Sequence, residues 1–224
     1  MKKRLSYAIL ILVIPAIILA GTLVFKEKQY AWISLGVTIL ACIPFFLHFE
    51  KKRDNSKSLI LIAAMVALSV VGRILFTPLP GFKPVTALVI ITAMYFGSEA
   101  GFMTGALSAV ISNFSFGQGP WTPFQMFSWG IIGLIAGIIA DPLKRNKIIL
   151  VIYAVLSGVM YSMFMDVWTV LWVDGTFNFS RYFAAILSSS RFIVIYAVSN
   201  VIFLLFFAKP IGKILERVKI KYAL

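Results

Sequence analysis

Eight apolar stretches, near residues 5–25, 30–49, 58–76, 85–97, 100–113, 123–140, 148–173 and 184–208, take up most of this chain. They leave few folds open. A helix needs roughly 20 apolar residues to cross roughly 30 Å of hydrocarbon, and most of these stretches qualify. In lipid the backbone must satisfy its own hydrogen bonds, so the spans are helices. Composition agrees: 61% of the 224 residues are hydrophobic, 13% are charged, and the mean hydropathy is +0.97. The expectation is an all-α, multi-pass membrane protein of eight spans. The fourth and fifth spans are short, and Gly97-Ser-Glu-Ala-Gly101 between them reads as a tight turn, because a turn preserves the alternation of charge.

The net charge of +13 raises nucleic-acid binding, but the basic residues fall where membrane topology puts them. With the amino terminus in the cytoplasm, the inner side holds Lys2, Lys3, Arg4, Lys51, Lys52, Arg53, Lys57, Lys144, Arg145, Lys147, Lys209, Lys213, Arg217, Lys219 and Lys221. Of the 21 Lys and Arg, that leaves only Lys26, Lys28, Arg73, Lys83, Arg181 and Arg191 outside. Both termini are therefore expected in the cytoplasm and no nucleic-acid partner is expected. The tail from Lys209 to Leu224 reads as a basic helix along the inner surface. The apolar run Leu5 to Phe25 is longer than the roughly 7 to 15 residues of a signal-peptide core, and no A-x-A site follows it, so it reads as a retained helix.

Three irregular segments then lie outside: Thr77 to Pro84, Asn113 to Pro123, and Asp174 to Tyr182. Prolines 78, 80, 84, 120 and 123 fix φ and withhold donors, so they shape loops. The run Asn113-Phe-Ser-Phe-Gly-Gln-Gly-Pro-Trp-Thr-Pro-Phe-Gln-Met-Phe-Ser-Trp129 interleaves amides with aromatic rings. Such a pattern suits a pocket for a flat, polar-edged organic molecule. Candidate substrate-binding residues are Asn113, Gln118, Trp121, Gln125 and Trp129. Trp168, Trp172 and Tyr182 read as an interfacial belt. Asp166 and Arg191 are ionisable groups in the outer half of the seventh and eighth spans, and are expected to face the same outward cavity. Arg73 reads as a snorkelling interface residue. Gly101, Gly105 and Ala109, with Gly133 and Gly137 one helix later, predict close helix approach.

Several chemistries are excluded. No G-x-x-x-x-G-K-[ST] loop is present, since Gly212-Lys213 is followed by Ile214, so power must come from a partner or a gradient. A proton-coupled carrier needs several buried acids, and apart from Asp166 the acidic residues lie near loops or termini. The one histidine, His48, sits at the inner end of the second span with no H-E-x-x-H around it and on the wrong side for a protease base. Cys42 lies alone in an apolar run and reads as packing. No enzyme, cofactor or metal is expected. A stand-alone facilitator would need a continuous polar path, whereas the polar groups crowd one leaflet.

Ala63-Ala-Met-Val-Ala-Leu-Ser-Val-Val-Gly-Arg73, Met94-Tyr-Phe-Gly-Ser-Glu-Ala-Gly101 and the Asn113 to Gln125 run resemble the substrate-binding S component of energy-coupling factor (ECF) transporters, most similar to the cobalamin-type branch. The resemblance runs from Ser58 to Pro210. It implies a six-helix core at 56–210 that captures a vitamin, cobalamin or a related compound, from outside. It also implies delivery inward together with a transmembrane T component and two ATPases, with Ala63 and Ala67 on the surface that meets the T component. Residues 1–55, holding the first two spans, have no counterpart in that core, and 211–224 form the basic cytoplasmic tail. The expected location is the cell membrane.

Overall fold

The computed structural model describes residues 7–17, 20, 55–175 and 177–221. Their helices are α1 (Asn55–Leu75), α2 (Val85–Phe96), α3 (Ser98–Phe116), α4 (Thr122–Ile138), the short α5 (Ala140–Arg145), α6 (Lys147–Asp174) and α7 (Phe179–Lys221). All but α5 fall on the six stretches expected from residue 58 onward. An N-terminal helical piece at 7–17 contains a π-helical turn, Ile9–Val13, and packs Leu10 and Ile14 into the same core. The rest of the first two expected spans, with Cys42 and His48, lies outside the described residues.

Ser58–Leu75, Lys147–Asp174 and Phe179–Lys221 are each long and apolar enough to cross a membrane, and α2 and α4 are shorter apolar helices. The short ones are the buried ones. In α2 every residue from Val85 to Met94 is buried, so a helix of about 18 Å, at about 1.5 Å per residue, is covered by protein and need not match the bilayer. α3 is rich in Ser, Thr and Gly for the same reason: it faces its neighbours, and Ser98, Thr104, Ser108, Ser112 and Asn113 are all buried. By contrast α7 turns Phe183, Leu187, Val194 and Phe206 outward, as a lipid-facing helix does.

The chain reverses between α2 and α3 on a single residue. Gly97 sits at φ 92°, a conformation that costs glycine nothing, and its N–H bonds to the Ala93 carbonyl at 2.9 Å. The tight turn expected at 97–101 is thus present and shorter than that segment. α3 then runs back antiparallel to α4 with almost no side chain between them. A Cβ on Gly101 would lie 2.6 Å from the Gly133 carbonyl oxygen, and one on Gly105 or Gly137 would overlap the backbone of Trp129 or Ser98. Gly158 lies against the Ala197 backbone in the same way between α6 and α7. The glycine ridges read from the sequence are these seams.

Two differences from the expected segments follow from packing. Asn113–Phe116 complete α3 and Thr122 and Pro123 open α4, so only residues 117–121 are irregular there; Pro at the first turn costs no helical bond. The helix α7 also runs on through Pro210 instead of ending near 208. Gly212 there lies flush against Tyr95, Leu215 is buried, and Lys219 Nζ donates to the Tyr95 carbonyl at 3.1 Å. Lys144, Arg145, Lys147, Lys213 and Lys219, with Gly97 and the Tyr7–Ser98 hydrogen bond (3.0 Å), mark one end of the bundle. The loops 76–84, 117–121 and 175–178 mark the other.

The α3–α4 seam should be intolerant of bulk. Gly105→Val is expected to cost about 1–3 kcal/mol or more, since backbone cannot yield as a side chain can, and so to lower the melting temperature in detergent. Ala64→Leu on the exposed face of α1 should leave it near that of the unaltered protein.

Candidate functional site

At the loop end, the last turn of α1 carries Arg73, and its side chain stays inside the bundle at 7% exposure. A guanidinium there is costly unless its donors and charge are met. Arg73 Nη1 donates to Ser112 Oγ and, at 2.8 Å, to Asn113 Oδ1. Its plane also lies 4.6 Å from the centroid of Phe116 and 5.1 Å from that of Trp129. The snorkelling reading of Arg73 is therefore corrected. α3 runs parallel beside α1, with Ile62 and Val66 against Ala100 and Met103, and so delivers Ser112, Asn113 and Phe116 to the guanidinium. Among the described residues Arg73 Nε finds no hydrogen-bond partner.

Asn113 is the hub. Fully buried, it accepts from Arg73 and donates through Nδ2 to Thr122 Oγ1 and Gln125 Oε1, both at 2.9 Å. That bonding pattern fixes which way its amide points. Gln125 Nε2 in turn donates to Tyr161 Oη at 3.3 Å. Tyr161 stacks on Trp129, with centroids 5.1 Å apart and planes at 15°, and meets Tyr196 edge-on at 5.1 Å. A polar chain thus runs from α1 through α3 and α4 to α6, alongside a wall of three aromatic rings.

These groups border a cavity of about 150 Å³, lined by Arg73, Gly81, Lys83, Val85, Thr86, Gln125, Trp129, Tyr161 and Tyr196. The loop 76–84 closes one side of it and is itself tightly held. Phe76 and Phe82 pack on Phe203, each at 5.0 Å. Lys83 N donates to Ser199 Oγ at 2.9 Å, and that hydroxyl donates back to the Lys83 carbonyl at 3.1 Å. Gly81, at φ 78°, lets the loop lie against Ile195 and Tyr196. Lys83 Nζ sits 4.8 Å from the Phe116 centroid. Burial, and then the nearby Arg73 charge, hold its amine below the usual lysine range.

Of the residues expected to bind substrate, Gln125 and Trp129 line the cavity and Asn113 supports it from behind. Gln118 and Trp121 do other work. Gln118 donates to the Val110 carbonyl at 2.8 Å and accepts from Thr122 at 3.0 Å, stapling the 117–121 loop, while Trp121 meets Trp168 edge-on at 5.9 Å. Asp166 and Arg191 are not brought together. Asp166 accepts from Ser189 Oγ at 2.7 Å between α6 and α7, and Arg191 is exposed over its neighbour Phe192. Neither borders the cavity. Sequence reasoning missed Lys83, Thr86, Tyr161 and Tyr196. The hydroxyls of Tyr161 and Tyr196, deep within otherwise apolar spans, were the available signal. Among the described residues no group of three His, Cys, Asp or Glu could hold a metal.

The model of the ECF-type riboflavin transporter S component matches residues 53–217. The chain belongs to that family. It is accordingly an S component, a multi-pass membrane subunit of a transporter and not an enzyme. The match supports this reading of the sequence but not the cobalamin-type branch, and it begins after the first two apolar stretches. No curated protein and no solved structure matches the chain.

The hub can be tested directly. Asn113→Leu removes one hydrogen bond at once from each of Arg73, Thr122 and Gln125 and leaves Gln125 Oε1 without its partner, at about 1–3 kcal/mol for a buried group left unsatisfied. It should lower thermal stability well beyond Gln118→Leu, which loosens only a loop.

Proposed function

We propose that this S component captures a flavin from the outer side of the cell membrane. It then passes the flavin inward as the binding subunit of an ECF importer with a T component and two ATPases. The observation that carries the substrate reading is the cavity. The stacked pair Trp129 and Tyr161, with Tyr196, gives the cavity an aromatic wall that suits a flat fused ring, and the donors of Arg73 and Gln125 suit the carbonyl oxygens and ring nitrogens at its edge. The family to which the chain belongs is described by riboflavin transport. At about 150 Å³ the cavity is below the roughly 300–1,000 Å³ of whole-ligand pockets. It takes the ring end of a flavin, with the remainder outside it. A corrin macrocycle is far too large for it, so the cobalamin reading is not carried further.

The orientation follows from charge. Lys144, Arg145, Lys147, Lys209, Lys213 and Arg217 gather at the end away from the cavity, and the excess of Lys and Arg marks the cytoplasmic side. The cavity then opens outward, above a core of apolar side chains that includes Ile132 and Met126. Power from outside the chain fits the lack of a phosphate-binding loop. Ala63 and Ala67 lie exposed on α1, where small side chains permit a partner helix to approach closely, and we assign that face to the T component.

Titrating riboflavin into the purified chain while following flavin fluorescence tests the substrate. Base-on-aromatic stacking is worth roughly 1–3 kcal/mol, so Trp129→Ala should weaken binding roughly 5- to 150-fold. Unchanged affinity in that variant, or binding of cobalamin in place of riboflavin, would overturn the proposal. For the partner face, Ala63→Trp with Ala67→Trp should abolish co-purification with the T component and ATPases while riboflavin still binds; intact co-purification would remove that assignment.

A further inference from the structure

We propose that the corner between α5 and α6 binds the phosphate headgroup of an anionic phospholipid, with the lipid's acyl chains laid along the exposed apolar face of α6. The inference uses the orientation given above, which puts this corner at the inner leaflet, and is independent of the flavin reading. Lys144, Arg145 and Lys147 fall within four residues, and all three are exposed. A single acid, Asp141, stands in the same stretch. Among the described residues no ion pair reaches any of the three cations.

Packing holds the cluster in place. Leu143 of α5 is buried in the core, which ties this part of the chain to the end of the bundle. Beside it, Lys144 Nζ rests 4.5 Å from the centroid of Tyr95. Asn146 then leaves the helical region, at φ −124° and ψ 113°, and its Oδ1 accepts from Ile148 N at 2.8 Å and from Ile149 N at 3.4 Å. That cap starts α6 directly after the basic residues. The positive end of a 28-residue helix dipole is thereby added to the three side-chain charges. Such a corner suits an anion with several acceptor oxygens, and Arg and Lys are the side chains that bind phosphate most strongly.

The neighbouring apolar surface selects a lipid over a soluble anion or an acidic protein. Ile148, Ile152 and Val155 stand at i, i+4 and i+7 on α6 and are exposed, with Leu156 beside them. This stripe begins one residue after Lys147 and runs about 10 Å into the span, at about 1.5 Å per residue. A water-soluble partner gains nothing from isoleucines at that depth, and a zwitterionic lipid gains little from the cations. An anionic phospholipid meets both surfaces at once, as basic segments at the cytoplasmic edge of a span do with acidic headgroups. Lys209, Lys213 and Arg217 make a different arrangement, strung over about 12 Å of α7 at about 1.5 Å per residue instead of gathered at a corner.

The test equilibrates the purified full-length chain in detergent with equal amounts of phosphatidylglycerol and phosphatidylcholine, then measures the lipid that it retains by mass spectrometry. Phosphatidylglycerol should be enriched roughly tenfold, which is about 1.4 kcal/mol. Lys144→Gln, Arg145→Gln and Lys147→Gln together should remove that enrichment while riboflavin affinity stays unchanged. Lys209→Gln, Lys213→Gln and Arg217→Gln together should leave most of it. Equal retention of the two lipids by the unaltered protein would overturn the inference, as would an equal loss in both triple variants, which would mean diffuse charge instead of a site. Displacement of phosphatidylglycerol by millimolar inorganic phosphate would assign the corner to a free anion and overturn it too. So would a corner variant that keeps its lipid but no longer co-purifies with the T component and ATPases, since the corner would then be a protein contact. The lipid preference of the unaltered protein decides the matter alone should the corner variant not fold.

Discussion

A cation buried at the loop end of a membrane bundle has to be met by the protein around it, and the satisfaction of Arg73 organises this fold. Its bond to Asn113 requires α3 to lie parallel to α1 with residue 113 level with residue 73. Once there, the remaining hydrogens of the Asn113 amide have to be placed, and Thr122 and Gln125 take them. That sets the height at which α4 starts. Gln125 then reaches Tyr161, so the position of α6 follows from the same sequence of obligations. A buried polar network is costly when partly satisfied and specifying when complete, which explains why so few residues position four helices.

Close packing supplies the frame in which that network fits. Gly101, Gly105, Gly133 and Gly137 bring α3 and α4 into backbone contact, so Asn113 and Gln125 meet without stretching. The reversal at Gly97 lets the buried α2 lie against both. At the far end the loops are pinned by aromatic clusters and by the Ser199 clamp. The cavity is therefore a consequence of rigid walls: Trp129 and Tyr161 are stacked, with Arg73 and Lys83 held at its border. A small receptacle whose polar groups are already oriented loses little in ordering when a ligand arrives.

Much of this was legible in the chain, for physical reasons that can be named. Six helices were readable because long apolar runs have one solution in lipid, and the glycine ridges were readable because small residues four apart mean close approach. Gln125, Trp129 and Asn113 stood out as amides and an aromatic ring where lipid-facing residues would be aliphatic. The role of Arg73 was not legible. At the end of a span an arginine looks the same whether it snorkels or turns inward, and only the parallel placement of α3 decides. Asp166 and Arg191 were grouped by depth, which sequence reports well. Facing direction is what separates them from the cavity, and that depends on how α6 and α7 pack. Lys83 and Thr86, Tyr161, and Tyr196 converge from three separate segments, a tertiary fact without a local signature.

The account stands or falls on where the ligand sits. An experimental structure of the full chain with riboflavin bound measures that directly. The ring should lie against Trp129 and Tyr161, with its polar edge within hydrogen-bond distance of Arg73 and Gln125. A ring found instead beside Asp166 and Arg191, or anywhere on the basic end of the bundle, would contradict it.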